Sequence, residues 1–201
     1  MDPDGPIQEE PDKIHVRPAK FGDICVLLEP IAKDEIIYLR QRQMPLQALF
    51  GGSPIENVHL SCQRFEAQDE RLLQGLVQNL NSALSAVQPF ALTALGLETL
   101  YAQVRQTNIL KWRIQVTPDL QRFIESVENV LIATGITPLY TSGWVPSLVS
   151  ALKGVPEINL NSVPNTIAFP YHLFTAHKVV LSRIDGPNEF EVLATIQLPA
   201  F

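Results

Sequence analysis

The sequence places an imidazole and a hydroxyl two residues apart, in the run Val58-His59-Leu60-Ser61-Cys62. Apolar and polar side chains alternate from Val58 to Phe65, which is typical of a β-strand. Residues two apart share one face of a strand, so His59 and Ser61 would project together. An imidazole exchanges protons near neutral pH, and a hydroxyl can hydrogen-bond a phosphate oxygen. A histidine on the solvent face of a half-buried strand is the alternative, and the tripeptide alone favours it.

Composition limits the kind of protein that carries this pair. The 201 residues are 46% hydrophobic and 18% charged, with a net charge of -6 and a pI near 5.2. These values suit one folded domain and exclude global disorder. They also argue against strong non-specific binding to long nucleic acid, but leave open a short nucleotide in a local pocket. We find no signal peptide and no run near the roughly 20 apolar residues of a membrane span. Cys25 and Cys62 lie in apolar runs and are expected to be buried free thiols, so we expect a cytoplasmic protein.

Residues 1–19 hold five acidic and two basic side chains and several prolines, and we predict a disordered acidic tail there. Residues 20–201 are predicted to form a single bilobed domain. Asp69 is a candidate cap for the second predicted helix, and Thr117, Pro118 and Gly135 punctuate the third. Pro30 opens the first helix and Pro45 is expected to interrupt it. Strands are predicted at 24–28, 58–65, 90–95, 109–116, 145–152, 174–184 and 190–198, a second helix at 69–86, and a loop at 155–170.

This order is an α+β pattern with an approximate internal repeat, in which each half contributes a strand, a helix and another strand. Two similar lobes that pack together would leave a cleft between their sheets, where a small ligand can bind.

The predicted elements resemble those of the 2H phosphoesterase superfamily in their order. They are a strand, a helix, a Gly/Pro turn, a strand with His59-Leu60-Ser61, and a further helix. That superfamily includes 2'-5' RNA ligase-like proteins and 2',3'-cyclic phosphodiesterases. The resemblance extends over about residues 22 to 201 and includes the run Ile109–Val116 and the closing strands. It implies a two-lobed fold in which two antiparallel sheets with outer helices face each other across a central cleft. It also implies two H-x-[ST] motifs, one per lobe, whose histidines act as general base and general acid without a metal or cofactor.

His59 and Ser61 match the first motif of that family, and the second motif is expected after the Thr117 helix, in the form Trp-x-Pro-His-x-Thr. The sequence there reads Trp144-Val145-Pro146-Ser147-Leu148-Val149. On this alignment Ser147 replaces the histidine and Val149 the hydroxyl residue. Because serine does not exchange protons near pH 7 as an imidazole does, the second motif is predicted to be degenerate.

Other residues are candidates for the missing role or for the cleft wall. His172 is a candidate substitute, and Tyr140, Trp144 and Tyr171 are candidate cleft residues. His177 is interpreted as a strand-edge residue and His15 as part of the tail. We find no phosphate-binding loop, dinucleotide fingerprint or metal-ligand spacing, so no cofactor and no metal are predicted.

Three functions stay open on this basis. The first is weak hydrolysis of a small cyclic or 2'-5' phosphodiester nucleotide, or of an RNA end, through His59 and Ser61. The second is nucleotide binding without turnover in the same cleft, and the third is a protein-interaction module on the same fold. The predicted partner is a small nucleotide or RNA end, with no DNA and no membrane, and a monomer is favoured.

Overall fold

The computed structural model describes residues 19–31, 33–102, 106–156, 160, 167–185 and 190–199. The predicted acidic tail lies outside the described residues apart from Ala19, and so does much of the predicted 155–170 loop. The helices are α1 (Lys33–Phe50), α2 (Glu70–Leu84) and α3 (Pro118–Ala133), and the strands are β1 (Ile24–Glu29), β2 (Ser53–Pro54), β3 (Leu60–Phe65), β4 (Phe90–Ala102), β5 (Thr107–Ile114), β6 (Leu148–Lys153), β7 (Tyr171–Ala176), β8 (Lys178–Ile184) and β9 (Phe190–Gln197).

The strands form two antiparallel sheets, as the α+β pattern predicted. The first sheet has the order β3-β1-β8-β9 and the second has the order β2-β6-β5-β4-β7. The division into lobes differs from the predicted one, because the first sheet combines strands from both ends of the chain. Long-range pairing of β1 with β8 outweighs the local order of elements that suggested one lobe per half.

The helices cover the outer faces of the sheets. In the first sheet, Leu28 of β1 and Leu60 of β3 are register partners and belong to the core that α2 and α3 complete. In the second sheet, α1 lies on the face that carries Trp112, a fully buried side chain. Arg42 of α1 contacts the same face, since its guanidinium lies 4.4 Å from the ring centre of Tyr171 in β7. The opposite faces of the two sheets are the faces of the cleft.

The two well-punctuated helices begin where the sequence predicts. The Asp69 carboxylate accepts from the Leu72 amide at 2.9 Å, and the Thr117 hydroxyl accepts from the Leu120 amide at 3.3 Å. These contacts satisfy amides that have no partner within the first turn of a helix. Gly135 follows α3 with a φ of 81°, the left-handed conformation that favours glycine.

Three predicted boundaries are wrong. Pro45 lies inside α1 and does not interrupt it, because proline removes a single backbone hydrogen bond while Leu46 and Phe50 still bury their side chains beyond it. The predicted strand 174–184 is two strands that belong to different sheets and join at His177, a change of sheet that alternation alone does not mark. The predicted short strand 90–95 continues to Ala102, since β5 pairs with its second half.

A buried glutamine fixes α1 to the second sheet. Gln43 is 1% exposed, and its Nε2 donates to the Ile55 carbonyl at 2.8 Å and to the Ala151 carbonyl at 2.9 Å. Because Ala151 belongs to β6, this contact helps to hold the strand on which the predicted second motif lies.

We predict that Gln43→Met lowers the free energy of unfolding by about 2 kcal/mol, since it removes both hydrogen bonds of a buried side chain, while the Ala151 carbonyl keeps only the Ile55 amide as a donor. Urea denaturation followed by circular dichroism measures the change. Gln47→Met is the matched control, because the Gln47 side chain is exposed, and we expect it to change stability by less than about 0.5 kcal/mol. Equal effects of the two substitutions would contradict the anchoring role of Gln43.

Candidate active-site cleft

The first motif lies at the start of β3 and faces the cleft. Leu60 pairs with Leu28 on the helix side of the first sheet, whereas Ser61 pairs with Leu27 on the opposite side. His59 precedes Leu60 and therefore shares the face of Ser61. Both side chains are therefore placed on the face of the first sheet opposite its helices.

The His59 imidazole makes one polar contact, with a backbone carbonyl, and one aromatic contact, with Phe190. Its Nδ1 lies 2.8 Å from the Asn57 carbonyl oxygen. A carbonyl can only accept, so Nδ1 carries the proton and the lone pair of the neutral ring is on Nε2. The Phe190 ring meets the imidazole edge to face with centroids 5.4 Å apart, and Phe190 also packs on an apolar patch of Cys25, Leu27 and Val180.

The predicted second-motif residues Ser147 and Val149 lie on the side of the second sheet that α1 covers, which corrects their expected placement in the cleft. Val149 pairs with Trp112. Two residues further along β5, the Ile114 amide donates to the Ser147 carbonyl. Both therefore point to the side covered by α1. The residues that face the cleft are Leu148, which pairs with Arg113, and Ser150, which pairs with Lys111.

A β-bulge in each strand gives the correspondence between the motifs independently of the sequence alignment. Cys62 is the extra residue in the pairing of β3 with β1, and Ala151 is the extra residue in the pairing of β6 with β5. Counting back from each bulge, Ser150 corresponds to Ser61 and Leu148 to His59. The residue between the two positions is fully buried in both strands. β3 and β6 approach within 8 Å between Cα atoms, so the strand of Ser61 lies near the strand of Leu148 and Ser150.

Tyr140 and Trp144 lie beside β3 and are buried rather than on an open rim. Their ring centroids are 4.4 Å apart, and the Arg64 guanidinium lies 5.4 Å from the Tyr140 ring centre. The chain that carries them is bonded to the edge of β3, where the Tyr140 amide donates to Gln63 Oε1 at 3.0 Å. Arg64 is an internal cation that strand alternation does not indicate: its Nε lies 3.5 Å from Asp23 Oδ2, and both side chains are buried.

Tyr171 and His172 do not line the cleft beside β6. Tyr171 lies under Arg42 on the α1 side, where burial raises its pKa to about 12 against the opposing effect of that cation. His172 lies in β7 with its Nε2 3.8 Å from Glu35 Oε1 of α1, and two strands separate β7 from β6. His172 therefore does not supply an imidazole beside Ser150. His177 lies half-buried between β7 and β8, and its carbonyl accepts from the Leu198 amide.

Other features of the described residues lie away from the motifs. A cavity of about 570 Å³ lies on the helix side of the first sheet, between α2 and the β8–β9 pair, and includes neither His59 nor Ser61. No group of three or more His, Cys, Asp or Glu side chains suited to a metal occurs in the described ranges, and no helix there could cross a membrane. Both cysteines are buried free thiols as predicted, and burial raises the pKa of Cys62.

Superposition on solved structures identifies the fold. The structure of Escherichia coli LigT complexed with NADP+ superposes with a TM-score of 0.60 at 13% identity, over 89% of this chain and 99% of that chain. A protein described as a phosphoesterase gives 0.58 at 14% identity, over 90% of this chain and 100% of that chain. The chain has the 2H phosphoesterase fold. Usb1 of Kluyveromyces marxianus also superposes, with a TM-score of 0.52 at 12% identity over 91% of this chain and 100% of that chain.

The resemblance predicted from sequence is therefore confirmed for the 2H fold. No protein-family model and no curated protein matches the sequence. Residue correspondences between the two motifs of this 2H fold rest on strand register and on the bulges.

The buried Asp23–Arg64 pair at the end of the cleft yields a stability prediction. Asp23→Asn would leave the Arg64 cation buried without its carboxylate, and we expect it to lower the free energy of unfolding by roughly 3 kcal/mol. Chemical denaturation measures the loss. Asp119→Asn removes the carboxylate of an exposed pair with Arg122, and this control should cost less than about 1 kcal/mol. A similar small loss for both substitutions would show that the buried pair is unimportant.

Proposed function

We propose that this protein binds a small phosphorylated nucleotide or an RNA end in the cleft, with weak or lost hydrolysis of cyclic or 2'-5' phosphodiesters. The observation that carries the proposal is that β3, which begins directly after His59 and contains Ser61, approaches β6, which contains Ser150, within 8 Å between Cα atoms. The two hydroxyls can donate hydrogen bonds to the oxygens of one phosphate, and the imidazole Nε2 can donate a third when the ring is protonated, since its Nδ1 proton already bonds the Asn57 carbonyl. A cyclic or 2'-5' linkage requires the ribose 2'-oxygen, so the expected ligand is a ribonucleotide and not DNA.

The chemistry of the cleft favours binding over turnover. In hydrolysis of a 2',3'-cyclic phosphate, water attacks phosphorus, a phosphorus–ribose oxygen bond breaks, and the water proton goes to a general base. A general acid must protonate the departing ribose oxygen. His59 can serve one of these roles, but Leu148 has no proton to give and stands where the second imidazole would act.

The named relatives of the fold supply probes for this proposal. E. coli LigT has been solved with 3'-AMP and with phosphate. The identities of 11% and 15% with those structures carry no ligand assignment to this chain, so each probe requires a direct measurement.

Titration calorimetry with 3'-AMP tests binding. We expect saturable heat with the wild type and at least tenfold weaker affinity in His59→Ala, because the hydrogen bond that the protonated imidazole donates to a charged phosphate oxygen is lost. His172→Ala is the matched control, since His172 lies on β7 beside Glu35 of α1. We expect this variant to bind 3'-AMP as tightly as the wild type. No heat with the wild type would refute the nucleotide-binding proposal and favour a protein-interaction module.

The assignment of Leu148 to the second imidazole position predicts a gain of activity. Leu148→His should raise hydrolysis of 2',3'-cyclic AMP by a factor on the order of 10² or more, the usual contribution of a general acid or base. Chromatographic detection of the nucleoside monophosphate product measures turnover, with the thermal unfolding midpoint as a folding check. Ser147→His is the control, because Ser147 points to the α1 side and should gain nothing. A gain in Ser147→His alone would restore the alignment predicted from sequence and overturn the register assignment.

A further inference from the structure

The cavity of about 570 Å³ on the helix side of the first sheet has apolar walls. Leu73 and Val77 of α2 lie on one side of it, and Leu181 of β8 and Leu193 of β9 lie on the other. Leu73, Val77 and Leu193 pack against the core but are only partly buried. Because they contribute apolar surface to the cavity, covering that surface would favour an occupant with apolar side chains.

The charged groups in the same wall favour a cationic occupant over an anionic one. Among the described residues, the cavity is lined by the carboxylates of Glu70 in α2 and Glu191 in β9 and by the guanidinium of Arg183 in β8. Arg183 Nη1 lies 2.7 Å from Glu191 Oε2, so these two charges offset each other. Glu70, in the first turn of α2, then leaves the wall with an excess of negative charge.

The described chain begins beside this cavity. The Gly22 amide donates to the carbonyl of Ile184 at 2.8 Å, and the residue before Ile184 in β8 lines the cavity. Lys20 Nζ lies 3.3 Å from Glu66 Oε1, and the Glu66 carbonyl accepts from Nε2 of Gln68, another residue of the wall. The eighteen residues before the described range are thus joined to the fold close to the cavity.

The sequence just before residue 19 has the chemistry that the wall favours. It reads Lys13-Ile14-His15-Val16-Arg17, in which basic and apolar side chains alternate, whereas the acidic residues of this end of the chain lie at positions 2–12. An extended chain spans at most about 3.5 Å per residue, so Val16 can lie roughly 10 Å from residue 19 and Ile14 roughly 17 Å. Since residues 20 and 22 already contact neighbours of the wall, the segment is long enough to enter the cavity.

We infer that residues 13–17 bind in this cavity, with Ile14 and Val16 against its apolar side and a basic side chain of the segment near Glu70. Residues two apart share one side of an extended segment, so Ile14 and Val16 can be buried together. A short tether gives an effective concentration on the order of millimolar, which favours this segment over a separate peptide. The cavity and the cleft lie on opposite sides of the first sheet, so this site goes beyond the proposed function.

Methyl NMR of the full chain tests the inference directly. We expect nuclear Overhauser effects between the methyl groups of Ile14 or Val16 and those of Leu73, Val77 or Leu193 in the wild type. These effects report methyl groups in contact, and no residue of the described core has to be changed to observe them.

A pair of variants in the segment supplies the matched comparison. The double substitution Ile14→Asn and Val16→Asn should abolish the Overhauser effects and shift the methyl resonances of the cavity wall, because the wall loses its apolar occupant. Ile7→Asn is the control, since Ile7 is an apolar residue within the acidic stretch 2–12, and it should leave those resonances unchanged.

A synthetic peptide of residues 11–18 distinguishes binding in the cavity from an indirect effect of the substitutions. Added at millimolar concentration to the double variant, it should return the wall resonances towards their wild-type positions. The same peptide with Lys13→Glu and Arg17→Glu should bind at least about tenfold more weakly, since its carboxylates would approach Glu70.

Three results would overturn the inference. The first is a wild type without these Overhauser effects, in which the double substitution leaves the wall resonances unchanged. The second is a dependence of the wall resonances on protein concentration, which would assign the cavity to a second copy of the chain. The third is equal affinity of the basic and acidic peptides for the double variant, which would remove the charge argument.

Discussion

β3 and β6, the two strands at the centre of the cleft, each contain one β-bulge, which reverses the alternation of their side chains. The position of each bulge decides which residues face the cleft. A one-residue shift in register exchanges the two faces of a strand. In β3, the extra residue Cys62 allows Ser61 and Arg64 to face the cleft while Leu60 and Phe65 are both buried on the helix side. In β6, the extra residue Ala151 keeps Val149 and Leu152 in the core and turns Ser150 to the cleft. The core residues fix this phase, because turning Val149 or Leu60 outward would expose a fully buried side chain.

Docking of the chain before β6 onto β3 brings the two motifs together. The Leu139 amide donates to the Arg64 carbonyl at 2.7 Å, and the Tyr140 amide donates to Gln63 Oε1. The edge of β3 thereby gains backbone partners instead of an exposed row of polar groups. The Asp23–Arg64 pair and the Tyr140 ring lie against the same segment. Because the segment continues directly into β6, its position on β3 also sets the distance between Ser61 and Ser150.

Sequence patterns predicted the parts of the fold that local chemistry determines. Capping residues fixed the starts of α2 and α3, and alternation placed His59 and Ser61 on one face. The patterns failed where a non-local contact decides the outcome. Pro45 continues a helix because the flanking residues pack on a sheet, and the chain changes sheet at His177 without any turn residue.

The displaced second motif has the same origin. Trp144 and Pro146 supported an alignment with the family motif, and that alignment put position 147 in the place of the histidine. The residue types in Leu148–Leu152 do not mark the bulge at Ala151, so only the pairing with β5 shows that Ser150 rather than Val149 faces the cleft. Arg64 was missed for a related reason, since its burial depends on Asp23, which is distant in sequence and adjacent in the first sheet.

The asymmetry of the cleft separates recognition of a phosphate from its hydrolysis. Recognition needs donors that can all act on the ground state of the ligand, and in the proposed function these are the hydroxyls of Ser61 and Ser150 and the His59 imidazole in its protonated form. Hydrolysis needs two proton transfers at opposite ends of the reacting phosphorus, and a single imidazole can contribute to one of them at a time. Leu148 has no proton to exchange, whereas hydroxyl donors can bind an anion equally well before and after reaction. Interactions that are equal in the ground state and the transition state strengthen binding without accelerating the chemical step. In the proposed function, this cleft therefore holds a phosphate rather than turning it over.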